Sequence, residues 1–158
     1  MIGYCRMNPK QPDSGQASRE LVEGLVTGRI IQCFFSVYNA LGFGMLESVY
    51  RNALVVELAH HGLDSRQEVP VDVVYRGVEV GHFRLDMLID DKVAVEVKAT
   101  ELLSPVANRQ LLNYLRASRL EVGLLLHFGP PAEFHRLVSP RVIARTREER
   151  IRQFPKDP

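Results

Sequence analysis

Residues 83–98, FRLDMLIDDKVAVEVK, decide the fold. Apolar residues recur at every second position on both sides of the turn-forming segment 90–92, and this alternation predicts a β-hairpin. A loop of three residues brings the apolar side chains of both strands onto one face, whereas a loop of two residues would put them on opposite faces. The three-residue loop is therefore predicted, and its facing pairs are Leu85–Val97, Met87–Val95 and Ile89–Val93.

The same register places two carboxylates side by side, because Asp86 then lies opposite Glu96 with about 4.5–5.5 Å between their Cβ atoms. Lys98 is two residues from Glu96 and shares its face of the strand. Facing like charges destabilise a sheet, and a divalent cation such as Mg²⁺, which binds one or two carboxylates, would offset the repulsion. The spacing leaves a second interpretation open, in which these three residues form an ordinary surface ladder with partly paired charges.

The rest of the sequence predicts further helices and strands around this hairpin. Gly62 ends a helical pattern, and Ser104-Pro105 is typical of a helix start, with Ser as the cap and Pro at the first helical position. The predicted helices are residues 18–41, 46–61 and 105–118, and the predicted strands are 69–73, 78–89, 93–99, 121–128 and 134–138. A last helix follows. This order predicts an α/β sandwich in which helices flank a central mixed β-sheet.

Composition places the chain among ordinary globular proteins, since 46% of its 158 residues are hydrophobic and 25% are charged. The net charge of +1 gives no global nucleic-acid signal, so binding of a polyanion would need a local basic patch. Neither a membrane-spanning run nor an apolar signal core is seen, which predicts a cytoplasmic protein without a membrane partner. Cys33 is expected to be a buried thiol, and the five histidines show no metal-ligand spacing.

The two ends of the chain differ from its centre. Residues 1–17 are polar and predict a flexible tail, residues 18–140 form the predicted domain, and residues 141–158 predict a basic helix or tail. The arginines near the C-terminus are Arg136, Arg141, Arg145, Arg147, Arg150 and Arg152. Two glutamates at 148 and 149 interrupt them, so both a solvated helix face and a phosphate-contacting patch are open interpretations.

Five motifs in a fixed order resemble a known family. They are Gly44-Met-Leu-Glu-Ser-Val-Tyr50, Arg84-Leu-Asp86, Glu96-Val-Lys98, Gln110-Leu-Leu-Asn-Tyr114-Leu and Val122-Gly-Leu-Leu-Leu-His-Phe-Gly129. The second and third are similar to the D…(D/E)xK core of the PD-(D/E)XK nuclease superfamily. The first matches the GxxExxY signature of a group of small proteins named for it. The resemblance extends over roughly residues 25–138.

The resemblance implies a restriction-endonuclease-like fold and a metal-dependent nuclease site at the hairpin. Asp86, Glu96 and the backbone carbonyl of Val97 would bind Mg²⁺ or Mn²⁺. Glu47, from the first motif, would be a further acidic ligand. Lys98 would position the attacking water or stabilise negative charge that develops on the phosphate. By this resemblance, the four side chains are the catalytic residues.

Three further residues are implied in substrate binding. Gln110 and Tyr114 resemble the QxxxY element of the RecB-like branch, and their spacing of four places them on one helical face. Tyr50 completes the GxxExxY signature. The implied substrate is nucleic acid, DNA rather than RNA. A second copy of the chain or an accessory protein is a further candidate partner.

Two departures from the related sequences leave an alternative open. Tyr38 stands where those sequences usually carry His, and Phe43 stands where they usually carry Pro. If that His assists the metal, its absence favours a non-catalytic nucleic-acid- or protein-interaction module that keeps the nuclease fold. A small basic surface also fits an accessory subunit that needs a partner to hold its substrate. Metal binding by Asp86 and Glu96 distinguishes the enzyme from the module.

Overall fold

A computed structural model describes residues 23–142 of the protein. Its elements are, in chain order, helices α1 (Gly24–Leu41) and α2 (Glu47–His60), strands β1 (Ser65–Tyr75), β2 (Val78–Ile89) and β3 (Val93–Lys98), helix α3 (Pro105–Ser118), and strands β4 (Val122–His127) and β5 (Glu133–Val138). The predicted tail, the predicted helix start near residue 18 and nearly all of the basic segment 141–158 lie outside the described residues. None of the described helices is long and apolar enough to cross a membrane.

The five strands form one sheet in the order β1-β2-β3-β4-β5. β3 and β4 are parallel, and the other neighbouring strands are antiparallel, so the sheet is mixed. β3 and β4 lie near its centre, and all their residues are buried except Lys98 at the end of β3. Burial on both faces explains why their sequences are almost continuously apolar.

Helices cover both faces of the sheet. The core under α1 and α2 includes Phe34, Tyr50, Leu54, Met87 and Phe128. The core under α3 includes Leu85, Leu88, Ala94, Leu111 and Leu115. The predicted α/β sandwich, with a mixed sheet between helical layers, is therefore confirmed.

The hairpin formed by β2 and β3 has the predicted three-residue loop. Its facing pairs are Ile89–Val93, Leu88–Ala94 and Met87–Val95. The side chains of Met87 and Val95 both belong to the core under α1 and α2, as the alternation predicts. The ladder ends at this pair, however, so neither the predicted pair of Asp86 and Glu96 nor that of Leu85 and Val97 forms.

A local distortion separates Leu85 from the face that alternation predicts for it. Leu85 packs in the core under α3, on the opposite side of the sheet from Met87. Glu68 of β1 has a left-handed backbone with a φ of 52°, and neither it nor Asp86 joins the regular pairs of β1 and β2 that surround them. A non-glycine residue in this conformation costs about 1–3 kcal/mol and is typical of functional sites. The strain lies beside Asp86.

The local helix signals agree with the structure. Ser104 accepts a hydrogen bond from the Val106 N–H at 3.3 Å, and Pro105 is the first residue of α3. α1 ends where Gly42 adopts a φ of 68° and donates its N–H to the Tyr38 carbonyl. Cys33 is buried in α1, as predicted.

Two glycines give a paired test of packing in the fold. A Cβ atom at Gly129 would overlap the His127 ring and lie 2.7 Å from the Thr100 carbonyl oxygen, so Gly129→Ala should destabilise the protein by about 1–3 kcal/mol. Gly28 lies in the middle of α1 with open space around it, so Gly28→Ala should stabilise the protein by roughly 0.5–1 kcal/mol. Urea unfolding measures both changes. Equal stability of the two variants would contradict the packing described for Gly129.

Candidate metal centre

Asp86 lies where the ladder between β2 and β3 stops. Its Oδ2 atom accepts a hydrogen bond from the Val97 N–H at 2.9 Å. In a continued ladder that N–H would bond to Leu85, so the carboxylate takes the place of a strand residue. One oxygen of Asp86 is thereby fixed by the backbone. The other oxygen, Oδ1, lies 3.5 Å from Nη1 of Arg51.

Glu96 is the most deeply buried charged side chain near this point, with 2% of its surface exposed. Its Oε1 atom accepts a hydrogen bond from Lys98 Nζ at 2.6 Å, and its Oε2 atom is buried with no hydrogen-bond partner. Burial raises the pKa of Glu96 to about 7, and the negative charges of Asp86 and Glu47 contribute while Lys98 opposes them. A buried oxygen without a partner costs free energy, which a cation at this position would recover.

Lys98 keeps its charge in this setting. Burial acts to lower the pKa of Lys98, but the hydrogen bond to Glu96 and the negative charges of Glu96, Glu47 and Asp86 outweigh it, and the net pKa is raised. The side chain is therefore an ammonium donor at neutral pH. It cannot take a proton from water unless that balance of charge changes.

Glu47 reaches the same place from the other side of the sheet, as the first residue of α2. Burial raises the pKa of Glu47, and the charge of Asp86 adds to this effect. Lys98, Arg51 and a hydrogen bond from the backbone of Ala99 act in the opposite direction. Glu47 is therefore within electrostatic range of Asp86 and Lys98.

Arg51 is a second cation at the site, one helical turn after Glu47. Its Nη1 atom lies 3.5 Å from Asp86 Oδ1 and pairs closely with Glu68, the residue with the left-handed backbone. Arg84 also lies near Glu68, at 3.6 Å. Sequence reasoning missed Arg51. Its spacing of four from Glu47 was a signal, but its partners lie on β1 and β2, and no local pattern connects them.

α3 brings Gln110 and Tyr114 to the face that carries Glu96. Gln110 Nε2 donates a hydrogen bond to the Tyr114 hydroxyl at 2.8 Å. Burial raises the pKa of Tyr114, and the negative charges of Glu96 and Asp86 contribute. Gln110 and Lys98 line one small cavity of about 270 Å³. The two α3 residues therefore stand beside the charged groups.

The structure places Tyr50 elsewhere. Tyr50 is fully buried, stacks on Phe128 with 4.1 Å between ring centres, and donates its hydroxyl to the Gly42 carbonyl. This position fixes the segment between α1 and α2 and leaves no exposed surface for the substrate contact expected from the sequence. Tyr38, at the position where related sequences carry His, donates its hydroxyl to the Gly129 carbonyl at 3.0 Å.

A separate group of ligand-type side chains lies on the outer part of β1 and β2. Asp72, Glu79 and His82 are the one group of three in the described residues whose ligand atoms all lie within 4.8 Å of one another. His82 binds Asp72 at 2.9 Å and Glu79 at 2.8 Å through its two ring nitrogens, and all three residues are exposed. The group is a charge cluster that leaves neither imidazole nitrogen free. The carboxylates of Glu47, Asp86 and Glu96 stand further apart than this.

The pKa of Glu96 predicts how stability depends on pH. Between the ordinary value of 4.5 and about 7, the folded protein keeps a proton that the unfolded chain has lost. The free energy of unfolding should therefore fall as pH rises through this range, by up to the order of 3 kcal/mol, and then level off. Urea unfolding in EDTA measures the fall. In Glu96→Gln the fall should be much smaller, and an unchanged pH profile in that variant would contradict the assignment.

Comparisons with known proteins return one family. A family model described as the PD-(D/E)XK nuclease superfamily matches residues 25–137. Among solved structures, the crystal structure of SSO0001 shares 19% sequence identity with this chain, with a TM-score of 0.48, over 88% of this chain and 71% of the other. The comparison with curated proteins returned no match. Because the family model covers most of the sequence, including the hairpin and helices α2 and α3, the chain belongs to the PD-(D/E)XK nuclease superfamily.

Proposed function

We propose that the protein is a metal-dependent nuclease that hydrolyses phosphodiester bonds, with DNA rather than RNA as substrate. One observation carries the proposal: the Oε2 atom of Glu96 is buried and has no hydrogen-bond partner. The negative charges of Asp86 and Glu47 act on the same carboxylate and help to raise its pKa. Superfamily membership supports the reaction class. The GxxExxY signature and the Gln110–Tyr114 pair support a place in the GxxExxY group and the RecB-like branch.

The donor set fits Mg²⁺ or Mn²⁺, which prefer oxygen ligands. Asp86 Oδ1, Glu96 Oε2 and the Val97 carbonyl would hold the ion, with Glu47 as a further ligand. The N–H of Val97 points toward Asp86, and in a strand the carbonyl of the same residue points to the same side. When bound, such an ion supplies a water of lowered pKa and neutralises charge on the scissile phosphate.

The side chains around the carboxylates supply the remaining functions. Lys98 carries a positive charge beside Glu96 and would orient the attacking water or stabilise charge on the phosphate. Gln110 is an amide on the wall of the cavity that Lys98 also lines, and it would bind a phosphate oxygen. Tyr114 holds the Gln110 amide in place through its hydroxyl.

A non-catalytic binding module is the second candidate. Arg51 lies 3.5 Å from Asp86 Oδ1, so an internal cation already stands beside the oxygen that a metal would need. If the protein is an enzyme, the metal must either displace this guanidinium from Asp86 or bind beside it. In the module, Arg51 would remain paired with Asp86, and divalent ions would have no effect on the protein.

Metal binding separates the two candidates. Mn²⁺ should stabilise the wild type, by about 2.7 kcal/mol when its concentration is a hundred times the dissociation constant, because it binds the folded form. Asp86→Asn should lose this stabilisation, whereas Asp72→Asn, which alters the exposed charge cluster, should keep it. Thermal melts with Mn²⁺ or EDTA provide the measurement. Mn²⁺ stabilisation that depends on Asp72 instead would contradict the proposed site.

Cleavage tests the chemistry. Labelled linear, circular and single-stranded DNA and RNA should be incubated with Mg²⁺, Mn²⁺ or EDTA, and we expect cleavage of DNA only with a divalent ion. Glu96→Gln should abolish cleavage. The metal-free variant should be as stable as the wild type or slightly more stable, because the change removes the repulsion between Glu96 and the neighbouring carboxylates. Full metal-dependent cleavage by folded Glu96→Gln would defeat the assignment. A wild type that neither cleaves nor binds Mn²⁺ would favour the binding module.

A further inference from the structure

A cleft of about 590 Å³ lies between the outer part of the β1–β2 hairpin and the C-terminal half of α3. Its charged, polar and aromatic lining residues are Asp72, Phe83, Asn113, Arg116, Arg119 and Arg141. We propose that this arginine cleft binds the phosphodiester backbone of a single nucleic-acid strand. The inference rests on the proposed function, because it assigns the cleft to the strand whose bond is cleaved at the end of β3.

The charge of the cleft is positive although the whole chain is nearly neutral. None of its three arginines forms an ion pair with a carboxylate of residues 23–142. Arg116 donates a hydrogen bond to the Asn113 side-chain oxygen at 3.2 Å, which leaves its charge without a carboxylate partner. The one carboxylate of the lining, Asp72, is paired with His82 at 2.9 Å. Unpaired guanidinium groups in a concave surface are suited to phosphate oxygens, which they bind through paired N–H donors.

A series of residue contacts connects the cleft to the candidate metal centre. The ring of Phe83 in the cleft contacts the ring of Tyr114 with 5.5 Å between centres, and Tyr114 is bonded to Gln110. Gln110 in turn shares a small cavity with Lys98. From Gln110 to Arg116 the helix rises about 9 Å, so one short stretch of a strand could contact both residues.

The composition of the cleft favours a single strand over a duplex. Phe83 has 41% of its surface exposed and offers a ring for stacking by an unpaired base. An aromatic ring beside a positively charged groove is the arrangement by which proteins hold single strands without reading their sequence. The bases of a duplex are stacked on one another and would leave the Phe83 ring unused.

Binding is to be measured by fluorescence anisotropy with labelled oligo(dT) over a range of salt concentrations, in EDTA so that no cleavage occurs. The test variant combines Arg116→Gln, Arg119→Asn and Arg141→Gln; Asn suits position 119 because its φ is 63°. Arg29→Gln, an exposed change on α1 across the sheet, is the matched control.

The triple variant should reduce the slope of log affinity against log salt by about two, at roughly 0.7 for each lost contact. Phe83→Leu should weaken binding about tenfold without changing the slope.

The outcomes separate this inference from the proposed function. A triple variant that keeps the Mn²⁺ stabilisation of the wild type but loses affinity and salt dependence supports the cleft, even if the wild type never cleaves. Wild-type affinity and slope in the triple variant overturn the cleft, even if the wild type cleaves DNA. Tighter binding of a duplex of the same length, or no binding of oligo(dT) by the wild type, also overturns it.

Discussion

The hydrogen bond between Asp86 and the Val97 N–H links the fold of this protein to its site. The carboxylate occupies the place where β2 would otherwise continue its ladder with β3. The backbone therefore fixes Asp86, and the carbonyl of Val97 is free of a strand partner on β2. A ladder that continued to a pair of Leu85 and Val97 would use both backbone groups of Val97, and no site of this kind would form. The strained backbone of Glu68 beside Asp86 belongs to the same interruption.

Around this bond, three carboxylates and two cations share a partly buried space. Burial is the larger cause of the raised pKa values of Glu47 and Glu96, and the negative charge of neighbouring carboxylates adds to it while Lys98 opposes it. Apolar side chains of similar volume would often serve stability as well or better. Acidic groups that lower the stability of the fold in this way are therefore typical of a functional site, and their negative charge favours the binding of a cation.

The sequence predicted the parts of the fold that follow from regular alternation. The register at Met87 and Val95 follows from matching two apolar faces, and the start of α3 follows from Ser104 and Pro105. Leu85 could not be placed in this way, because regular pairing of β1 and β2 is interrupted at Glu68 and Asp86, and beyond this point Leu85 packs in the core under α3. No pattern within β2 itself carries that information.

The same division holds for the site. Asp86, Glu96 and Lys98 lie within one hairpin, and local spacing was enough to group them, while Glu47 and Gln110 entered only through family resemblance. Arg51 and the arginine cleft are assembled by tertiary contacts. Of the cleft arginines, only Arg141 was part of the basic patch considered from the sequence.

The central claim is that Asp86, Glu96 and Val97 form a metal site at the end of β3. Crystals of the wild-type protein soaked in Mn²⁺ and measured for anomalous scattering test it most directly. We expect a peak bounded by Asp86 Oδ1, Glu96 Oε2 and the Val97 carbonyl, with the Arg51 guanidinium moved away from Asp86. A peak only at Asp72, Glu79 and His82, with the Arg51–Asp86 contact intact, would contradict it.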